Sequence, residues 1–291
     1  MSGLLTAMTQ SSLARLEQAR AKEPEKALWS RVTDAPPAPR LKLCMEGFDI
    51  LAECKLHSPS AGDLSAHTSD VESRVQAYAT GGACAVSVLT EPTRFGGSLA
   101  HLAQAAAVLA PLKVPAMRKD FLVDPYQVME ARAAGAGGVL VIVRMLDRSR
   151  IVELLDCAAM LKMFVLLEAF DSADLTVARE VMAARKGHGE QVLVGLNCRD
   201  LDTLKIDLPR LEELADQLPP GYAHVAESGV ASLADVKTVV DIGYRLALIG
   251  TTLMSSPDPR QLLGEMLAAG RERAMATRTR KIRTGGESED E

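Results

Sequence analysis

Lysine and glutamate side chains that could transfer protons follow short apolar segments at several places in the sequence. Lys119 comes after an apolar run bracketed by Pro115 and Pro125. Because proline can open a strand and favours the first turn of a helix, Lys119 is predicted at the C-terminal end of a strand. Comparable apolar runs end at Glu53 and Lys55, Glu168, Asn197 and Glu227. A buried ion-pair network would use the same residue types, but their common placement at strand ends favours acid-base catalysis.

The chain between these residues alternates eight times between strand and helix patterns. We predict strands at 49–54, 84–89, 114–118, 138–143, 163–168, 192–197, 222–226 and 245–249. Helices are predicted at 69–80, 98–109, 125–135, 147–161, 171–185, 207–217, 231–242 and 258–274. The fold class is therefore α/β, a single (β/α)8 TIM barrel over residues 49–275, with its chemistry at the C-terminal ends of the strands. An open doubly wound sheet would carry a glycine fingerprint in its first turn, where this chain has Ser58-Pro59-Ser60.

The alternation of side chains along a strand predicts which residues of the first strand reach the barrel mouth. If Cys54 faces the helices, Glu53 and Lys55 face the mouth. A barrel that used a catalytic cysteine from this strand would need Cys54 to point inward. The parity favours the lysine and glutamate pair instead.

Two segments flank the predicted barrel. Residues 1–48 form a helical N-terminal extension that ends in a Pro-rich stretch at 34–39, and we expect it to fold over the barrel mouth, although an expendable arm would have the same pattern. Residues 276–291 form a charged tail that is expected to be disordered.

Composition excludes several classes of function. The formal net charge of −5 argues against general binding to nucleic acid or to anionic membranes, and no run of about 18 apolar residues could span a bilayer. Five cysteines with no C-x-x-C pair suggest neither a disulfide framework nor a zinc site. We therefore expect a cytoplasmic protein, and we expect it to be either a monomer or a weak homo-oligomer.

Glycine-bearing turns after the seventh and eighth strands predict an anion site. Backbone amides at such turns bind phosphate, and these are the two loops in which (β/α)8 barrels commonly hold it. The expected partner is a phosphorylated small molecule. The candidate phosphate-binding residues are Ser58, Gly229, Val230, Gly250 and Thr251.

An ordered set of motifs runs over roughly residues 10–270. The motifs are Ala52-Glu53-Cys54-Lys55-Leu56-His57-Ser58-Pro59-Ser60, Ser87-Val88-Leu89-Thr90-Glu91, Phe95-Gly96-Gly97-Ser98, Arg118-Lys119-Asp120-Phe121, Asp124-Pro125-Tyr126-Gln127, Glu130-Ala131-Arg132, Leu167-Glu168, Asn197-Cys198-Arg199-Asp200-Leu201, Glu227-Ser228-Gly229-Val230 and Ile249-Gly250-Thr251-Thr252-Leu253-Met254. This set resembles the indole-3-glycerol-phosphate synthase family of tryptophan biosynthesis.

The resemblance implies a carboxy-lyase that converts 1-(2-carboxyphenylamino)-1-deoxyribulose 5-phosphate to indole-3-glycerol phosphate without a metal or organic cofactor. It implies that Lys119 is the general acid in ring closure, that Lys55 engages the substrate carboxylate and assists dehydration, and that Glu168 is the general base. The resemblance further implies orienting roles for Glu53, Asn197, Glu227 and Ser228, a place for Arg199 near the anthranilate end, and an apolar slot of Phe95, Phe121 and Leu201.

The chain also departs from the family pattern at several positions. Ala61 replaces a usual basic residue, Phe170 a common histidine, Leu204 a usual phenylalanine and Cys198 an Asn or Ser. None of these changes removes a proposed proton donor or acceptor. Two alternatives stay open: a paralogue that acts on a modified analogue in a specialised indole pathway, and a barrel that only binds phosphate or a protein partner. The acid-base set argues against the second, because a mere binder would need only the glycine loops.

Overall fold

A computed structural model describes residues 3–45, 47–58, 62–63, 70–188, 191–201 and 203–285. The strands of the described chain are β1 (Asp49–Cys54), β2 (His57–Ser58), β3 (Gly62–Asp63), β4 (Ala85–Leu89), β5 (Ala116–Lys119), β6 (Gly138–Ile142), β7 (Phe164–Ala169), β8 (Val192–Asn197), β9 (Ala223–Glu227) and β10 (Leu246–Ile249). Its α-helices are α1 (Gly3–Lys22), α2 (Glu25–Asp34), α3 (Val71–Gly81), α4 (Pro92–Phe95), α5 (Leu99–Leu109), α6 (Pro125–Ala133), α7 (Arg148–Met160), α8 (Ser172–Ala184), α9 (Pro209–Glu213), α10 (Leu233–Ile242), α11 (Thr251–Ser255) and α12 (Pro259–Gly285).

Eight parallel strands close into a barrel in the order β1-β10-β9-β8-β7-β6-β5-β4, and β2 and β3 form a small antiparallel hairpin beside it. Apolar residues fill these strands almost without interruption, which is the pattern expected of strands covered on both faces. The predicted (β/α)8 fold is confirmed, and each barrel strand lies within two residues of its predicted bounds at either end.

Side-chain caps fix where many of the helices begin. A short acidic or hydroxyl side chain accepts a hydrogen bond from a backbone N–H in the first turn of each of six helices, which satisfies a donor that the helix leaves free. These capping residues are Asp70, Ser98, Asp124, Asp147, Asp171 and Ser232. Because each cap lies between a barrel strand and the helix that follows it, the caps set where these connecting loops end.

Two helices differ from the prediction. The helix predicted at 207–217 is split into α9 and a single 3-10 turn at Ala215–Gln217, which precedes the pair Pro219 and Pro220. The last helix continues to Gly285, past its predicted end at residue 274 and into the segment for which disorder was expected. The charged composition suggested disorder, but Ala, Arg and Lys favour helix, and Arg273 pairs with Asp241 of α10 at 2.6 Å. Residues 286–291 lie outside the described part of the chain.

The N-terminal helix α1 contacts the loop that follows Lys119. Arg15 forms two hydrogen bonds with the carboxylate of Asp120, at 2.8 and 2.9 Å, and the hydroxyl of Ser12 donates to the carbonyl of Phe121. Leu4 and Leu5 of the same helix line the cavity at the mouth of the barrel. This helix thus lies beside the mouth of the barrel. No helix within the described ranges is long and apolar enough to cross a membrane.

Candidate active site

The side chain of Lys119 lies among three carboxylates at the C-terminal end of the barrel. Its Nζ is 3.4 Å from Oε2 of Glu227, 3.6 Å from Oε1 of Glu168 and 3.8 Å from Oε2 of Glu53. The four residues end or nearly end β5, β9, β7 and β1, so closure of the barrel is what brings them together. The convergence predicted from the strand ends is therefore correct.

A second lysine joins the cluster from the end of β1. Nζ of Lys55 lies 2.7 Å from Oε1 of Glu53, so this one carboxylate faces both ammonium groups. A Cβ on Gly250 would lie 2.3 Å from that same oxygen, and therefore the absence of a side chain at this position leaves room for the pair. Cys54 does not line the cavity, and burial raises the pKa of its thiol to about 12. The parity predicted for β1 is correct.

Asn197 connects the carboxylates to the loop after β9. Its Nδ2 donates to Oε1 of Glu168 at 2.9 Å, and its Oδ1 accepts from the hydroxyl of Ser228 at 2.9 Å and from the backbone N–H of Arg199 at 3.0 Å. These bonds fix the orientation of the amide. The side chain can then only donate toward Glu168.

Glu227 is fully buried beneath the cluster. Its Oε1 has no hydrogen-bond partner among the described residues. Burial raises the pKa of this carboxyl well above its usual value, and the negative charge of Glu168 raises it further, while Lys119 opposes both. Glu227 consequently holds a proton to a higher pH than an ordinary glutamate does.

The pKa values of Lys119 and Glu53 shift in the directions that keep both groups charged. Burial alone would lower the pKa of the Lys119 ammonium, but the three surrounding carboxylates outweigh it and raise that pKa above its usual value. Burial likewise opposes ionisation of Glu53, but Lys55 and Lys119 lower its pKa overall. With a proton on Glu227, two ammonium groups face two carboxylates. Such a site keeps a charged proton donor beside charged acceptors.

The cavity above this cluster, called here the mouth cavity, has a volume of about 470 Å³. The rings of Phe95 and Phe121 lie 6.2 Å apart, at an angle of 37°, and Leu201 lines the same cavity. The volume falls in the range typical of small-molecule sites. These three apolar side chains thus lie beside the charged cluster.

The opposite side of the mouth cavity is lined by the glycine loops after β9 and β10. Gly229 has φ of +77° and Gly250 has φ of −119°, and both line the cavity together with Val230 and Thr251. The left-handed backbone at Gly229 is one that other residues rarely adopt. The side chain of Ser58, the remaining predicted phosphate ligand, lies outside the described part of the chain.

All the predicted site residues except Ser58 line the mouth cavity. Sequence reasoning missed several others that also line it, including Leu4, Leu5, Asp120, Ile206 and Thr252. The two leucines lie on α1, and their spacing gave no sign of which barrel surface the helix would contact. Within the described ranges, no group of three or more His, Cys, Asp or Glu residues could hold a metal ion.

The fold and the site together define a (β/α)8-barrel enzyme that works by lysine and glutamate acid-base chemistry. A family model described as indole-3-glycerol phosphate synthase matches residues 5–266. The indole-3-glycerol phosphate synthase of Leifsonia xyli is 40% identical over 265 residues, which are 90% of this chain and 97% of the relative. The Mycobacterium leprae enzyme of the same name is 40% identical over 81% of this chain and 84% of its own.

The chain belongs to the indole-3-glycerol phosphate synthase family, and it is therefore a carbon-carbon lyase. Among solved structures, thiamine phosphate pyrophosphorylase from Pyrococcus furiosus has a TM-score of 0.55 and 13% identity, and the match covers 78% of this chain and 97% of that one. At that identity the likeness concerns the barrel fold alone.

Proposed function

We propose that the mouth cavity catalyses the reaction of this family on 1-(2-carboxyphenylamino)-1-deoxyribulose 5-phosphate. A ring carbon of the substrate attacks the ribulose carbonyl, the ring loses its carboxyl group as CO2, and loss of water gives indole-3-glycerol phosphate. The observation that carries the proposal is the Lys119 ammonium, held between three carboxylates and directly beside an apolar slot.

In ring closure, Lys119 protonates the carbonyl oxygen as negative charge develops on it. Its raised pKa keeps the ammonium charged over the physiological range, so a positive charge is always next to the developing alkoxide. General acid assistance of this kind is worth about 10² to 10⁴ in rate.

Decarboxylation and dehydration use the other side of the cluster. Lys55 engages the carboxylate of the substrate ring and assists departure of the hydroxyl, and Arg199 lies near the same end. Glu168 accepts the proton that is released as the indole double bond forms. The hydrogen bond from Asn197 holds one oxygen of Glu168, which leaves the other oxygen for the substrate.

The two sides of the cavity orient the substrate. The aromatic ring packs against Phe95 and Phe121, and the phosphate binds to the backbone of Gly229, Gly250 and Thr251. This places the ribulose carbon chain over Lys119. Binding the substrate at both ends fixes the distance and angle at which its reacting carbons meet. Such alignment is a major source of rate enhancement.

An indole-fluorescence assay with the carboxyphenylamino-deoxyribulose phosphate tests the proposal. We expect turnover by the unaltered chain and a loss of at least about 10² in kcat for Lys119→Gln. The matched control is Lys113→Gln, which removes an exposed lysine just before the same strand. Binding of the substrate without turnover by the unaltered chain would contradict the proposed reaction.

A ring-modified substrate remains a second candidate because Phe170 and Leu204, both departures from the family pattern, line the mouth cavity. Comparing kcat/KM for the plain and ring-substituted compounds decides between the two substrates, since a specialised paralogue would prefer the substituted one.

We also propose a cytoplasmic location, which the five free cysteines support. We further propose that the protein is a monomer or a weak homo-oligomer, which light scattering would test.

A further inference from the structure

A second cavity of about 430 Å³ lies at the opposite end of the barrel from the mouth. It opens between α2, the extended segment 35–40 and the turn that connects α7 to β7. We call it the flank pocket. Its lining includes Trp29, Pro37, Arg40, Arg132, Met160 and Lys162. Lys162 precedes β7, and Pro39 contacts Gly137 just before β6, so the pocket lies at the N-terminal ends of these strands.

The guanidinium of Arg132 is the unusual feature of this pocket. The residue is only 7% exposed, and its Nη2 donates to the carbonyl of Pro36 at 2.5 Å and to that of Ala35 at 3.3 Å. Its Nη1 is buried and has no hydrogen-bond partner. A buried donor without an acceptor costs free energy, and for a charged group the cost is larger. The group therefore favours any acceptor that enters the pocket.

The charged residues that line the flank pocket are all cations. Arg40 and Lys162 also line the pocket, and no aspartate or glutamate does so. In the described part of the chain, none of these three cations forms an ion pair with a carboxylate of the protein. The rest of the lining is apolar, with the ring of Trp29 and the side chain of Met160 both partly exposed to the pocket opening.

We propose that the flank pocket binds a small apolar carboxylate of one or two rings. The carboxylate would accept hydrogen bonds from the guanidinium of Arg132, and the second and third cations would add attraction at the opening. The apolar body of the ligand would pack against Trp29, Pro37 and Met160. The volume is enough for such a molecule and too small for a folded partner. This site does not depend on the reaction at the mouth.

The chain offers a local probe of the pocket, because Trp29 is its only tryptophan. The full-length protein would be titrated with 3-phenylpropionate while the Trp29 fluorescence is recorded. The uncharged 3-phenylpropanamide, which has the same shape, is the matched ligand control. We expect a saturable change with the carboxylate, and binding of the amide weaker by about tenfold or more. Added salt should weaken binding of the carboxylate alone.

Two variants test whether the carboxylate of the ligand binds beside Arg132 and Lys162. Arg132→Gln should abolish the difference between the acid and the amide, with circular dichroism confirming that the chain is folded. Lys162→Gln should weaken binding of the acid several-fold, while Lys113→Gln should not. Lys113 is the matched control because it is also exposed, also has φ near +59° and also precedes a barrel strand.

The outcomes separate this proposal from the proposed reaction. Lys119→Gln should bind 3-phenylpropionate as tightly as the unaltered chain does, whatever its activity. The proposal is overturned if the fluorescence does not saturate, if acid and amide bind equally, or if folded Arg132→Gln behaves as the unaltered chain. Should Arg132→Gln fail to fold, equal binding by the Lys162 and Lys113 variants would overturn it.

Discussion

Gly195 of β8 and Glu227 of β9 share one small space inside the barrel. A Cβ on Gly195 would lie 2.0 Å from Oε1 of Glu227, far closer than real Cβ contacts. The buried carboxylate therefore lies directly against the bare backbone of the neighbouring strand. The position of the acid under Lys119 depends on a glycine that carries no chemistry of its own.

Gly195→Ala should therefore reduce kcat without unfolding the barrel. The atom that the new methyl group meets is the far end of a flexible side chain, so Glu227 would move and change its contact with Lys119 while the strand stays in place. We expect at least a tenfold loss of kcat, because misplacement near the reacting atoms by about 1 Å can cost 10²-fold. The indole-fluorescence assay measures this, and circular dichroism checks the fold. Gly264→Ala, where the nearest atom is 4.0 Å away, is the control and should retain full activity.

The stability of the Glu227→Gln variant relative to that of the unaltered chain should increase as the pH rises. The pKa of Glu227 is raised above its ordinary 4.5 by burial and by Glu168. Above pH 4.5 the unfolded state has released this proton and the folded state still holds it, so the free energy of unfolding falls by up to about 1.4 kcal/mol per pH unit until the folded pKa is passed. Glutamine has no proton to release and avoids this loss.

Urea unfolding of both proteins between pH 5 and 8 measures the difference. The gap in unfolding free energy should widen in favour of Glu227→Gln with increasing pH. Parallel curves would contradict the raised pKa. Glu213→Gln, on the exposed face of α9, is the control and should leave the pH dependence unchanged.

The sequence allowed the barrel and its charged cluster to be predicted because both follow from local patterns. Apolar runs mark the strands, and the parity of Glu53, Cys54 and Lys55 gives the direction of each side chain. Contacts between distant segments have no such pattern: nothing near Arg15 indicates that Asp120, more than one hundred residues away, is its partner. The length of α12 was missed for a different reason, since a charged, alanine-bearing segment is compatible with helix and with disorder alike.

Arg15→Ala should loosen α1 from the barrel mouth. The carboxylate of Asp120 is buried, and besides the two bonds from Arg15 it accepts bonds from Thr90 and Arg118. Burial opposes ionisation of Asp120, but Arg118 and Arg15 lower its pKa below the usual range. Loss of one charged partner should cost about 1 to 3 kcal/mol, because Arg118 remains to hold the acid.

Hydrogen exchange is the measurement for this variant. Protection of the α1 amides should fall more than that of the α10 amides, and kcat should fall because the carbonyl of Phe121 is bonded to the same helix. Lys22→Ala, an exposed position near the end of α1, is the control. Equal protection of α1 in the Arg15 and Lys22 variants would mean that the ion pair does not anchor the helix.

Asn197→Asp should lower kcat and shift the pH profile while preserving the shape of the site. The amide nitrogen that donates to Glu168 is replaced by an oxygen, and an ionised aspartate at this position would face that carboxylate with a like charge. At low pH a protonated aspartic acid can donate the missing bond, so activity should recover partly as the pH falls. The kcat of the variant is measured from pH 5 to 8, with the exposed Gln76→Glu as the control for an added carboxylate. A uniform loss of activity at every pH would indicate that the donor to Glu168 is not what the reaction requires.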